Sequence, residues 1–259
     1  MHARATDIAA WLRARVAEAG ARGLTFGLSG GVDSAVVAGL CSLAMPGHVI
    51  GLIMPCGRDP DEEAENEADA HLVANGFKIP VARLDLAPAF DALTGGLEAV
   101  LAPRPGTPSS QGGGNEGQER AALANVKPRL RMTSLYLVAN RLSYLVAGTR
   151  DRCELTIGRF TKFGDGGADV LPIGTLLKSE VRALARDLGV PDRIIDKPPS
   201  AGLWPGQNDE EELGFTYESL ERYLRDGPDG VPPALALRIE RLIRATEHKR
   251  APLPMPDTD

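Results

Sequence analysis

The chain has 259 residues, and 29 Lys plus Arg against 35 Asp plus Glu give a formal charge of −6. Hydrophobic residues are 43% and charged residues 25%, the balance of a soluble globular chain of one or two domains. This mild acidity disfavours a nucleic-acid binder but leaves open a local basic pocket for anionic small ligands.

Residues 6–20 read as an amphipathic helix, with Ile8, Trp11, Leu12 and Val16 at helical spacing. The N-terminal segment carries Arg4, Asp7, Arg13 and Arg15 with no apolar run, which is not the pattern of a signal peptide. Leu24 to Leu28 reads as a short buried strand running into Ser29-Gly30-Gly31-Val32-Asp33-Ser34, then an apolar helix over 35–45. Val49 to Met54 reads as a second strand. The stretch Ala35 to Cys56 is long enough to span a bilayer, but Pro46-Gly47-His48 breaks it, so it reads as helix, turn and strand, with no membrane partner. Asp61 to Asn75 reads as a helix with an acidic first turn and Gly76 at its C-terminal cap. Ile79 to Leu84 reads as a third strand. The β-α-β-α-β order predicts parallel strands with right-handed crossovers, an α/β fold.

Residues 101–118 are rich in Pro, Gly, Ser and Gln and read as a flexible loop inserted in a single domain over 1–259. A long helix is expected over about 119–142, with a kink or start at Pro128. Tyr144 to Ala147 reads as a fourth strand, 158–173 as a glycine-rich loop and 175–188 as a helix stopped by Gly189. Pro198-Pro199 opens an irregular stretch, and helices near 216–225 and 233–246 close the chain. Cys41, Cys56 and Cys153 are odd in number without C-x-x-C spacing, which disfavours disulfides or zinc and predicts a reducing, cytoplasmic setting.

The strand-to-helix turn at 29–34 carries the strongest chemical signal. Its glycines let backbone N–H groups approach an anion at a helix N-terminus, and Ser29 and Ser34 can add hydroxyl donors. Asp33 is out of place among anions unless a cation joins it, so it reads as a Mg²⁺ ligand or a water-binder. A ligand-free glycine turn is the alternative. Neither a Walker A loop nor the Rossmann glycine motif is present. Arg129 and Arg131 could recognise carboxylate or phosphate, or form a solvated helix face. Lys162 and Lys178, beside Asp165 and Asp169, could hold phosphates or lie on the surface. Glu154 near a strand end is uninformative alone, and His248-Lys249-Arg250 reads by composition as a basic tail.

The SGGVDS loop resembles that of the PP-loop ATP pyrophosphatases. NVKPRLRM (125–132), GRFTKFGDGGAD (158–169), KPPSAGLWPGQNDEEELG (197–214) and TEHKR (246–250), with MPCGRDPDEEAENEADAHLVA (54–74), resemble ammonia-dependent NAD⁺ synthetase from about Leu24 to Pro254. That resemblance implies a Rossmann-like three-layer fold with a parallel sheet, of the adenine nucleotide α-hydrolase type. It implies amidation of deamido-NAD⁺ by ammonia, with ATP converted to AMP and pyrophosphate through an acyl-adenylate and no protein nucleophile. By that resemblance Gly27, Leu28, Ser29, Gly30, Gly31, Val32, Asp33 and Ser34 hold ATP, as do Thr149, Lys178 and Ser200. Arg129, Lys162, Asp169, His248 and Lys249 would contact deamido-NAD⁺, and Asp33 and Glu154 would hold Mg²⁺. A homodimer is implied too, with Leu130, Leu135, Leu137 and Val138 as a candidate pairing face. No glutaminase domain is visible, so ammonia is expected free or from a separate glutaminase. Two alternatives remain: a ligase preferring nicotinate mononucleotide, and a non-catalytic NAD-binding relative. Arg150-Asp151-Arg152-Cys153 departs from the family's smaller or Asn/His-containing stretch, and Pro128 replaces a small residue. Cys153 reads as a packed thiol, or a reactive one if the arginines lower its pKa.

Overall fold

The computed structural model describes residues 3–57, 60–101, 116–199 and 207–256. It opens with α1 (Ala3–Glu18), β1 (Gly23–Gly27), α2 (Val32–Ala44), β2 (Val49–Ile53), α3 (Pro60–Phe77) and β3 (Val81–Arg83). Then come α4 (Ala87–Leu101), α5 (Glu116–Ala124), α6 (Val126–Leu142) and β4 (Tyr144–Val146). Helices fill the rest: α7 (Arg152–Ile157), α8 (Lys178–Leu188), α9 (Asp192–Ile195), α10 (Asp209–Leu213), α11 (Tyr217–Asp226) and α12 (Pro233–Ala245).

Among the described residues the strands form a sheet of order β3-β2-β1-β4, with every pair parallel. Leu24 stands between Val49 on one side and Leu145 on the other. The chain steps outward from β1 to β3, then returns to the opposite flank of β1. That reversal opens a crevice beyond the C-terminal ends of β1 and β4, where open parallel sheets place ligands.

Helices cover both faces of the sheet. One core joins α1, α2 and α8 to it through Leu12, Phe26, Val37 and Val181. The opposite core is smaller: Leu52, Met54 and Leu86 meet Phe90 of α4 and Leu130, Leu135 and Val138 of α6. Ile53 packs in the first and Leu52 in the second, as strand alternation requires. Each fully buried Leu or Phe contributes about 1.5–3 kcal/mol. A third cluster around Cys153, Ile157, Leu220 and Ile239 binds α7, α11 and α12 together.

Several boundaries differ from the sequence reading. The buried stripe of α1 is Ala5, Ala9, Leu12 and Val16, which rotates Trp11 to the surface at 41% exposure. Gly76 lies inside α3. The helix ends instead with Lys78 at φ +55°, where Ile79 N–H donates to Ala74 O and Lys78 N–H to Asn75 O. This Schellman arrangement is fixed by burying Ile79, so a lysine takes the left-handed position usual for glycine. The expected helix over 119–142 is two helices broken at Asn125, with Pro128 in the first turn of α6, where its missing N–H costs little. Leu101 ends α4 and Glu116 starts α5; residues 102–115 of the expected loop lie outside the described residues. Helices α4, α7, α9 and α10 are additions to the elements expected from the sequence. Three of the four apolar residues read as a pairing face, Leu130, Leu135 and Val138, pack inside this chain; Leu137 alone of them is turned out, at 61% exposure.

Candidate active site

The loop after β1 is built by its small residues. Gly30 has φ +79°, and a Cβ there would lie 2.4 Å from the Asn66 carbonyl oxygen of α3. Only glycine fits so close an approach. Ser34 Oγ donates to Gly31 O at 2.9 Å and accepts from Ser29 N–H at 3.2 Å. Ser29 Oγ accepts from Gly31 N–H at 3.3 Å. The two serines therefore brace the loop. Gly31 caps α2 with extended backbone and no side-chain bond, so the first N–H groups of the helix face outward for an anion.

Lys178, at the first turn of α8, comes to this loop from far along the chain. Its Nζ donates to Asp33 Oδ1 at 3.0 Å and Oδ2 at 2.8 Å. It also lies 2.9 Å from Asp151 Oδ2 and 3.7 Å from Glu154 Oε1. The side chain is 2% exposed and stands 5.1 Å from the centre of the Tyr217 ring. Burial alone would lower its pKa, but Asp33, Glu154 and Asp151 hold it well above the usual value. The start of α8 is fixed from another helix: Ser179 N–H donates to Glu221 Oε1 at 2.6 Å.

Asp151 and Glu154 form a capping box on α7. Asp151 Oδ1 accepts from Glu154 N–H at 2.8 Å, and Glu154 Oε2 accepts from Asp151 N–H at 3.1 Å. Burial pushes the Glu154 carboxyl up to about 7, with Arg150 and Lys178 pulling it down and Asp151 and Asp33 pushing it up. Burial likewise raises Asp151. Arg150 lies between Glu154 Oε1 at 3.3 Å and Asp165 Oδ2 at 3.4 Å. Cys153 points the other way into the apolar cluster; burial first, then Asp151, pushes its thiol up to about 12. The arginines beside it do not activate it.

The glycine loop, Arg150, Asp165 and Lys178 line a cavity of about 710 Å³, within the range of ligand sites, while Asp151 and Glu154 meet Lys178 outside its lining. Gly27, Leu28, Ser29, Gly31, Val32 and Asp33 line one end, with Thr149 and Lys178. Phe160, Thr161 and Lys249 line the other. The basic residues near the C-terminus are tied down there. Lys249 Nζ donates to Gly158 O at 2.7 Å and Phe160 O at 2.8 Å, and Lys162 Nζ donates to His248 O. Arg129 Nη2 donates to Lys162 O at 3.4 Å, so Arg129, Lys162 and His248 form one rim beside the cavity. Asp169 stands apart from that rim: its Oδ2 accepts from Val146 N–H at 2.8 Å and its Oδ1 from the Tyr136 hydroxyl at 3.1 Å. Ser200 lies outside the described residues.

Comparison with known proteins decides the family. The family model described as NAD synthase matches residues 4–253. The chain belongs to the NAD synthase family. It is 48% identical over 240 residues to the NH(3)-dependent NAD(+) synthetase of Carboxydothermus hydrogenoformans, covering 93% of this chain and 91% of that one. The NMN synthetase structure from Francisella tularensis superposes with a TM-score of 0.84 at 34% identity, covering 98% of each chain. The NAD⁺ synthetase structure from Burkholderia pseudomallei gives 0.72 at 33% identity, covering 97% of this chain and 90% of that one.

The chain also carries site residues that the sequence does not single out. Asp151 binds Lys178, and Tyr217 supports it while donating to Asp209 Oδ2 at 3.1 Å. Arg159, in the cavity wall, donates from Nη2 to Asp209 Oδ1 at 2.6 Å and Glu212 Oε2 at 2.8 Å. The only available signal is an Asp placed to cap a helix in Asp151-Arg152-Cys153-Glu154. Asp33 and Glu154 approach one ammonium from different elements, at 2.8 and 3.7 Å, so both carboxylates face a single cation position. Among the described residues no group of three or more His, Cys, Asp or Glu is placed to hold a metal alone. The two carboxylates therefore fit Mg²⁺ only where phosphate and water complete its shell, the usual way this ion is held.

Proposed function

We propose that the chain is an ATP-dependent ligase that amidates deamido-NAD⁺ with ammonia to give NAD⁺, AMP and pyrophosphate. The observation that carries this reading is the junction of Asp33 and Lys178 behind the glycine loop, in a cavity that Lys249 closes at its other end. One end offers free helix N–H groups for phosphates; the other offers cations for a second anionic substrate. The name of the Carboxydothermus relative, at 48% identity, agrees with ammonia as the nitrogen source.

In this reading residues 27–34, with Thr149, Lys178 and Ser200, hold ATP, and Arg129, Lys162, Asp169, His248 and Lys249 contact deamido-NAD⁺. Asp33 and Glu154 would hold Mg²⁺, which when bound offsets phosphate charge. The chain's own contribution is placement. The loop N–H groups orient the triphosphate, Lys178 supplies a fixed charge, and the cavity brings the nicotinate carboxylate to the α-phosphorus. Ammonia then displaces AMP from the acyl-adenylate. Because residues from Gly27 to Lys249 line one cavity, we read 1–259 as one domain. Three buried cysteines, odd in number and without C-x-x-C spacing, support a reducing, cytoplasmic setting, and among the described residues no helix is long and apolar enough to cross a membrane. A homodimer follows from the family resemblance, with Leu137 as its available apolar contact; light scattering that finds only fully active monomer overturns it.

The test is pyrophosphate release with ATP, Mg²⁺ and ammonia, using deamido-NAD⁺ or nicotinate mononucleotide. Preference for the dinucleotide supports the reading. Preference for the mononucleotide moves the chain toward the activity named for the Francisella protein. No release with either makes it a non-catalytic binder.

A further inference from the structure

Among the described residues the cavity wall holds one arginine without a partner. Arg182 lies on α8 one turn beyond Lys178, on the same side of the helix. Helical side chains lean toward the N-terminus, so the long Arg182 side chain runs back toward the Lys178 end and reaches the cavity lining. It is half-buried, and its Nε has no hydrogen-bond partner. Among the described residues no ion pair offsets its charge.

Its neighbours in the wall are different. Arg159 has its charge offset by two carboxylates, Asp209 and Glu212. Lys178 is held by Asp33 and Asp151. Lys197 Nζ donates to Asn66 Oδ1 at 3.0 Å and Asp69 Oδ2 at 2.7 Å. Asn66 is also the residue whose carbonyl presses on Gly30, so Lys197 marks the loop side of the cavity. Helix α8 packs against α2, which starts from that loop. Arg182 is thus a half-buried guanidinium in the same cavity lining as a phosphate-type loop, with donors left for a ligand. An isolated buried cation is costly, and an incoming anion removes that cost.

We propose that Arg182 binds the β- and γ-phosphates of ATP, and hence the pyrophosphate that leaves. This rests on the ligase reading above. In the adenylation step a carboxylate oxygen forms a bond to the α-phosphorus, and the bond from that phosphorus to the bridging oxygen breaks. The electron pair departs on pyrophosphate, and no proton moves. Arg182 offsets the charge gathering on that leaving group, a task suited to a planar guanidinium.

The experiment compares product inhibition of NAD⁺ formation by inorganic pyrophosphate and by AMP in the wild type, Arg182→Met and Arg182→Lys. AMP lacks the β- and γ-phosphates, so it reports the rest of the site. The expected result is a pyrophosphate inhibition constant raised about tenfold or more in Arg182→Met, as for a lost charged hydrogen bond. AMP inhibition stays within about threefold, and Arg182→Lys falls between. Unchanged pyrophosphate inhibition overturns the proposal. So does equal weakening of both products, which would make Arg182 a structural residue, and Arg182→Lys decides the same question if Arg182→Met does not fold. A wild type that forms no NAD⁺ defeats the ligase reading itself, an outcome distinct from an active enzyme indifferent to Arg182.

Discussion

Lys178 and Asp33 are 145 residues apart, yet both carboxylate oxygens of Asp33 lie within 3.0 Å of the Lys178 ammonium. The contact joins the start of α8 to the start of α2 and fixes the floor of the cavity. Lys178→Met removes the cation and leaves Asp33, Asp151 and Glu154 facing one another. Removing one partner of a buried pair costs about 3–5 kcal/mol. The expected outcome is a lower urea midpoint and strongly reduced NAD⁺ formation. Added Mg²⁺ should raise the melting temperature of the variant more than that of the wild type, because it restores a cation. Equal Mg²⁺ shifts in the two proteins would contradict this.

Glu154 and Cys153 are adjacent on α7 but belong to different environments. Glu154 faces Arg150 and Lys178, whereas Cys153 is fully buried among apolar side chains. Glu154→Ala is expected to lower the turnover rate about a hundredfold, the scale of losing preorganised electrostatics. Cys153→Ser removes no charge, so activity should fall less than about threefold. Its hydroxyl enters an apolar site, so stability should drop by about 1–3 kcal/mol. Steady-state rates at saturating Mg²⁺, with urea titrations alongside, separate the two effects. An inactive Cys153→Ser beside a near-normal Glu154→Ala would reverse the assignment.

Gly30 tests the loop by shape alone. Gly30→Ala adds a methyl 2.4 Å from the Asn66 carbonyl, at a φ of +79°. The left-handed backbone costs about 1–2 kcal/mol for an L-residue, and the clash adds to it. The loop must shift, and its N–H groups with it. A loss of ATP affinity of about tenfold or more, with circular dichroism unchanged, is the expected result. Wild-type affinity in this variant would show that the loop does not touch the nucleotide.

How much the sequence reveals depends on how far apart the interacting residues lie. The loop at 29–34 is legible because strand, glycines and helix are contiguous, and glycine at Gly30 has a backbone reason. The first three strands and their parallel order follow from short apolar runs between helices. Helix α7 escapes a sequence reading because its six residues, Arg152–Ile157, are too short to show a period. Asp151 looks like an anomaly because its two roles, cap and Lys178 partner, appear only in three dimensions. The face Leu130-Leu135-Val138 is apolar as read, but periodicity does not say whether a face meets its own chain or another.

Glu180 gives a prediction in pH. It sits in the first turn of α8, where its Oε2 accepts from Leu177 N–H at 2.8 Å and its Oε1 meets Arg4 at 2.9 Å. Burial pushes its carboxyl up, but the Leu177 N–H and Arg4 outweigh this and hold it below the usual 4.5. The folded chain therefore releases this proton more readily than the unfolded chain. Below the unfolded pKa the unfolded state binds more protons, so this contribution rises with pH. It is complete above about pH 5 and is lost as pH falls through the lowered folded pKa. The pair is partly exposed, so its share is about 0.5–1 kcal/mol at most, and salt weakens the Arg4 part. The check is the difference in urea midpoint between the wild type and Glu180→Gln from about pH 3 to 7. Glutamine keeps an acceptor for Leu177 and loses only the charge. The gap should be constant from about pH 5 upward and should close toward about pH 3. A gap that widens on acidification would mean that burial, not the cap and Arg4, sets the state of this carboxyl.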